Sequence, residues 1–137
     1  MSLLKKLQIG DNSAGRYTKE YLLSDYKCHM YRGHNEYRPD TEKRCDMIEL
    51  SIIAPGREDI LMYEWFVRKL NLSGRITIEL PPSINQMHGA TKEILFEEAR
   101  CFSFEEDYHI GKSQRRILKL QLVAEKVNIE GVIFNRL

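Results

Sequence analysis

Cysteine and histidine residues lie close together in the first third of the chain, where they could bind zinc. Cys28, His29, His34 and Cys45 are all of the types that bind this metal in proteins. Adjacent residues of an extended strand point to opposite faces, so Cys28 and His29 cannot readily bind the same ion. The spacing of the four residues also matches no known zinc-binding pattern. The sequence therefore favours structural roles for them, and we expect no metal and no cofactor.

A second pair, Cys101 and His109, could act as a nucleophile and its general base. Cys101 shares the alternation of Ala99, which is typical of a small side chain buried in a sheet. No acidic residue is placed to orient the histidine. We therefore expect no catalytic residues, and the chain is not predicted to be an enzyme.

Acidic residues cluster at Glu97 and Glu98 and again in the run 105–107. Such clusters could bind a divalent cation, but calcium loops alternate oxygen ligands around a turn glycine, and that pattern is missing here. The clusters are better interpreted as the solvated face of a sheet.

Basic and aromatic residues near these clusters suggest a possible alternative, a small β-barrel that binds nucleic acid. Lys92, Arg100 and the pair 115–116 could form a basic patch, and Phe102 and Phe104 could stack on bases. The neighbouring acidic residues would cancel the positive field of that patch. Nucleic-acid binding is therefore the alternative interpretation and not the favoured one.

The length and charge of the chain limit the number of domains and the kinds of protein that it could be. Its 137 residues are enough for one domain with a real core, and we expect a single domain over residues 1–137. The net charge is +1, and no apolar run approaches the roughly 20 residues of a membrane helix. The first ten residues do not form a signal peptide, and three widely spaced cysteines indicate reduced thiols in a cytoplasm.

Residues 58–70 give the one strong helical pattern of the sequence. Leu61 and Trp65 repeat at a spacing of four, as do Met62 and Phe66, so an apolar stripe runs along one face. We expect this stripe to pack on the core, with Leu61 and Trp65 as its main anchors.

Alternating residues elsewhere predict strands. In the clearest strand one set of side chains is apolar and the other is polar: Leu118, Leu120, Leu122 and Ala124 against Lys119, Gln121 and Glu125. A second strand ends at Leu80, and a shift in the apolar phase after Phe96 predicts a bulge near Glu97 and Glu98. Strands with one apolar face belong to an antiparallel sheet that is packed on one side, and such sheets have edges that can pair with partners.

Residues 32–44 show no hydrophobic period and are interpreted as a long loop. The segment combines both charge signs with a central tyrosine, and the residues singled out are Arg32, Tyr37, Arg38, Asp40, Glu42, Lys43 and Arg44. Long loops in compact domains are often functional.

The order of these elements resembles the tube proteins of bacterial type VI secretion systems, the Hcp or TssD family, and especially the branch found in Bacteroidetes-type bacteria. Four stretches carry the resemblance: the stripe of Leu61 and Trp65, then residues 73–78, 92–99 and 118–131. In that family these positions correspond to the helix, the strand after it, a bulged strand and the C-terminal hairpin.

The resemblance implies a mainly β fold, a small antiparallel β-barrel with one α-helix packed beside it. It also implies hexameric rings that stack into a tube, with sheath, spike and effector proteins as partners and no nucleic acid or membrane insertion. Such a tube would assemble in the cytoplasm and be exported on firing without a signal peptide. The segment 32–44 would then make ring-to-ring contacts.

Overall fold

The computed structural model describes residues 4–34, 39–56, 59–80, 91–108 and 116–135, with the backbone alone for 31–34, 39–46 and 135. These residues form seven strands and one helix: β1 Lys5–Asp11, β2 Arg16–His34, β3 Pro39–Ile53, α1 Leu61–Val67, β4 Asn71–Glu79, β5 Thr91–Tyr108, β6 Arg116–Ile129 and β7 Val132–Asn135.

The strands form one antiparallel sheet in the order β3-β2-β1-β4-β5-β6-β7, and an additional pairing between β3 and β6 closes it. Six strands therefore make a closed barrel, while the short strand β7 pairs with the end of β6. The expected mainly β fold with one helix is confirmed.

The apolar side chains that alternate along β6 point into the barrel and fill part of its core. Leu118, Leu120, Leu122 and Ala124 are all buried, whereas Lys119 is exposed. Side chains of the other strands meet them in a continuous apolar core, as expected when each strand turns one face inward. The prediction for this strand is confirmed.

Two bulges bend β5. Ser73 of β4 lies opposite both Glu97 and Glu98, Glu98 has a φ of 51°, and its backbone N–H donates to Ser73 Oγ at 3.1 Å. This is the bulge predicted from the phase shift. A second register shift occurs at Phe102 on the side of β6. Bulges increase local twist, which helps a long strand such as β5 to pair with two neighbouring strands.

The helix is shorter than predicted because a side chain fixes its start. Asp59 accepts a hydrogen bond from the Leu61 N–H at 3.1 Å, and the Tyr21 hydroxyl donates to both Asp59 carboxylate oxygens at 3.0 Å. Burial, together with this carboxylate, raises the pKa of Tyr21 well above its usual range. The helix ends at Val67, three residues before its predicted end at residue 70, and β4 begins at Asn71.

The predicted loop at residues 32–44 is wrong in its extent. Strand β2 runs to His34 and β3 begins at Pro39, with Arg32 opposite Lys43 and Tyr31 opposite Arg44. Most of the segment is therefore the end of a β-hairpin. A hairpin beyond the core has no inner face to fill, so its sequence lacks the apolar period that marks a strand.

Gly74 lies close against the backbone of β1 and gives a testable prediction. A methyl group at this position would overlap the backbone carbonyl oxygen of Gln8 and lie 3.0 Å from Phe96 Cζ. We expect Gly74→Ala to lower the free energy of unfolding by about 1–3 kcal/mol, the usual cost of overpacking, in a urea titration. Gly56→Ala is the control, because nothing lies within 4 Å of its added methyl group. Equal stability of the two variants would contradict this packing.

Candidate assembly surfaces

Strands β2 and β5 run past their neighbours β1 and β4, and they do so at opposite ends of the β1–β4 pair. Pairing of β1 with β2 ends at Leu22, and pairing of β4 with β5 ends at Arg100. Beyond these points β2, β3, β6 and β5 form a four-stranded sheet, here called the outer sheet: residues 25–30, 47–53, 116–122 and 101–108. In the described part of the chain, no strand pairs with the far side of β2 or β5 along the outer sheet.

The outer sheet carries polar side chains in two rows on its solvent face. Cross-strand register aligns Lys27, Glu49, Gln121 and Ser103 in one row and Asp25, Ser51, Lys119 and Glu105 in the other. The rows line a shallow depression of about 280 Å³. This face is thus a concave polar surface four strands wide.

Hydrogen bonds and ion pairs fix the charges within these rows. Gln121 Nε2 donates to Glu49 Oε1 at 2.8 Å, and His29 Nε2 lies 3.4 Å from Glu49 Oε2. The Gln121 hydrogen bond and the His29 contact lower the pKa of Glu49, so it is ionised near neutral pH. Lys119 Nζ lies 3.6 Å from Asp107 Oδ2.

The balance of charge on this face opposes the nucleic-acid alternative. Its acidic groups outnumber its lysines: Asp25, Glu49, Glu105 and Asp107 against Lys27 and Lys119. A groove that follows a phosphate backbone needs the opposite sign.

The other face of the outer sheet is apolar and lies under α1. Met62 and Trp65 are fully buried against the core, and Trp65 Nε1 donates to the Ala99 carbonyl oxygen at 2.9 Å. Leu61 packs against the core while remaining partly exposed. The ring of Phe104 lies 5.2 Å from Tyr63 and 6.0 Å from Phe66, centroid to centroid.

The described side chains that were considered for metal binding or catalysis do not converge. Among the described residues, no group of three or more His, Cys, Asp or Glu side chains could hold a metal ion. Cys101 is buried, and burial raises the pKa of its thiol to about 11, which leaves it protonated at neutral pH. His109 lies outside the described residues, while Glu97 accepts a hydrogen bond from Asn12 Nδ2 at 3.1 Å.

Of the seven residues singled out in segment 32–44, the structure describes the backbone of five and does not describe the other two. Arg32 lies in β2, and Asp40, Glu42, Lys43 and Arg44 lie in β3, all at the end of one hairpin. Tyr37 and Arg38 lie outside the described residues.

Sequence reasoning missed the two polar rows. In each strand of the outer sheet, polar residues alternate with apolar ones. The sequence alone shows this alternation for residues 47–51 and 117–121. Which residues face one another depends on the register between strands far apart in sequence.

Comparison with known proteins identifies the family of this barrel. The family described as hemolysin coregulated protein Hcp (TssD) matches residues 1–136. The chain belongs to the Hcp family. Hcp proteins are the tube subunits of type VI secretion systems, and they are structural proteins and not enzymes. The predicted family is therefore confirmed.

Solved structures agree with this Hcp assignment at the level of the fold. Hcp1 from Flavobacterium johnsoniae has a TM-score of 0.67 at 18% identity, covering 97% of this chain and 99% of that one. An Hcp1 protein from E. coli EAEC 042 has a TM-score of 0.65 at 8% identity, covering 98% of both chains. A chain of the six-fold symmetrised baseplate of the anti-feeding prophage has a TM-score of 0.54 at 12% identity, covering 96% and 95%.

A comparison with curated proteins finds no match. Within the described part of this Hcp chain, no helix is long and apolar enough to cross a membrane.

Proposed function

We propose that this Hcp protein assembles into closed hexameric rings that stack into a hollow tube, with the polar face of the outer sheet lining the channel. The observation that carries the proposal is the pair of open edges at opposite ends of that sheet. Exposed strand edges with unpaired backbone groups readily pair with another chain. An Hcp ring would satisfy both edges of every subunit at once.

Strand directions make such a junction possible between identical copies. Each step from β2 to β3, to β6 and to β5 is antiparallel, so β2 and β5 of one subunit run in opposite directions. When copies are related by rotation, β2 of one copy beside β5 of the next is again antiparallel. The sheet therefore continues from subunit to subunit without changing its pattern, and a heterologous contact of this kind forms a ring when the rotation closes.

The polar rows suit the wall of an aqueous channel. Their charges are held by neighbours within the sheet, while the apolar face packs beneath α1. A hydrated effector protein could pass or ride in such a lumen without burying its own charges. Sheath, spike and effector proteins are the expected partners. Assembly in the cytoplasm, export on sheath contraction and a single structural unit over residues 1–137 are parts of the same proposal.

The end of the β2–β3 hairpin is the proposed ring-to-ring connector. Outside residues 48–53, where β3 pairs with β6, this end of the hairpin pairs only with itself among the described strands, so it extends from the outer sheet as an arm, here defined as the described residues 31–34 and 39–46. Opposite charges set register at an interface, and a tyrosine adds contact area. Segment 32–44 carries Arg32, Arg38, Lys43 and Arg44 against acidic Asp40 and Glu42, with Tyr37 among them.

Mass in solution tests the ring. Light scattering coupled to size exclusion is expected to give a particle of about 97 kDa, six times the subunit mass of 16.2 kDa, and negative-stain images are expected to show a central hole. A monodisperse particle of one subunit at high protein concentration would contradict the proposal for the isolated protein.

A further inference from the structure

The two open edges of the outer sheet are chemically different from each other. On the polar face, the β2 edge presents Lys27 and His29, both exposed, whereas the β5 edge presents Glu105 and Asp107. One edge is thus basic over these positions and the other is acidic. Complementary edges of one chain favour contact with a second copy of the same chain.

The barrel-side faces of the same two edges carry apolar side chains that the subunit itself covers only in part. Met30 on β2 is 49% exposed, and Phe66 of α1, which contacts Phe104 on β5, is 40% exposed. Large apolar groups at both edges of one sheet are typical of an interface that is completed by a partner.

Among the antiparallel registers that keep polar residues beside polar ones, two place Lys27 opposite an acidic residue, and the other charges distinguish these two. If Lys27 faced Glu105, Asp25 would face Asp107, and like charges directly opposite one another are destabilising. If Lys27 faces Asp107 instead, His29 faces Glu105 and the like-charge pair is removed. The second register also places Met30 opposite Phe104 on the apolar side.

We propose that rings form by pairing β2 of one subunit with β5 of the next in this second register, with Lys27 opposite Asp107 and Met30 opposite Phe104. This inference rests on the proposed ring and specifies the partner and alignment of its junction. Lys27 is available for the contact because Glu49, its cross-strand neighbour, already accepts a hydrogen bond from Gln121 and contacts His29. Phe66 then covers Met30 from above.

Engineered disulfides test the register. In a background of Cys28→Ser, Cys45→Ser and Cys101→Ala, the pair Met30→Cys with Phe104→Cys is expected to oxidise into covalent oligomers up to the full ring. Cβ atoms of directly opposed residues lie about 4.5–5.5 Å apart, close to the distance that a disulfide bridges. The matched control keeps Cys28 and adds Phe104→Cys alone, which joins the subunits only in the rejected register.

The outcomes distinguish an error in the register from an error in the ring itself. Rings that cross-link through the control pair and not through the pair at positions 30 and 104 would overturn the register. Rings that cross-link through neither pair would overturn β2–β5 pairing in both registers that place Lys27 opposite an acidic residue. A parent protein that forms no ring would contradict the proposed function itself.

Charge reversal gives a second readout that does not depend on oxidation. Lys27→Glu is expected to dissociate the ring to subunits in light scattering, because like charges then oppose each other at every junction. Adding Asp107→Lys to that variant is expected to restore the ring mass. Lys126→Glu, an exposed lysine beyond the outer sheet, is the control and keeps the ring. Intact rings in Lys27→Glu, or no recovery in a folded double variant, would contradict the proposed pairing.

Discussion

Replacing Trp65 with alanine is expected to lower the free energy of unfolding by about 3–5 kcal/mol, the usual cost of emptying a large aromatic site in a core. Trp65 is fully buried, and its ring stacks on Phe96 with centroids 6.2 Å apart. Its indole N–H also donates a hydrogen bond to the carbonyl oxygen of Ala99, a residue in the middle of β5. The change therefore removes both the packing of α1 and a buried hydrogen bond.

Chemical denaturation at fixed protein concentration measures this effect, because association adds to apparent stability. Val67→Ala on the same helix is the control. Val67 is 73% exposed, so its truncation is expected to change stability by less than about 0.5 kcal/mol. A loss below about 1 kcal/mol for Trp65→Ala would mean that α1 does not anchor the core.

Shortening the arm is expected to separate ring formation from tube formation. We predict that replacing residues 35–41 with a short Gly/Ser linker leaves rings of native mass that melt near the native temperature but abolishes their stacking and secretion. The physical reason is that the outer sheet keeps its pairing of β3 with β6, which begins at Ile48, well outside the replaced residues. Electron microscopy of tube length and an assay of secreted protein provide the measurements.

Two outcomes would contradict this role of the arm. Stacking and secretion that continue unchanged would show that another surface connects the rings. Loss of the subunit fold would show that these residues belong to the core. A matched control exchanges only Gly15, a turn residue with a φ of 66°, for asparagine, which tolerates this conformation and leaves the arm intact.

The parts of this fold that the sequence predicted are those specified by local period. Leu118, Leu120 and Leu122 alternate with polar residues, and their strand fills the barrel as expected. Trp65 repeats with Leu61 on a helical stripe, and the bulge at Glu98 follows from a change of phase. In each case one stretch of chain carries the whole signal.

The parts that were missed depend on contacts between distant residues. The arm lacks the sequence signature of strands because a hairpin without a core beneath it needs no apolar alternation. The start of α1 shifted because Tyr21 and Asp59, 38 residues apart, hold its first turn. The polar rows of the outer sheet likewise require the register of four strands, and no window of the sequence contains it.

A cryo-electron microscopy reconstruction of the assembled particle tests the central claim most directly, provided that it resolves individual strands. We predict a closed six-fold ring in which β2, β3, β6 and β5 of every subunit line the channel and β2 of each subunit pairs with β5 of the next. Particles that remain single subunits, or a ring whose channel is lined by β1 and β4, would contradict it.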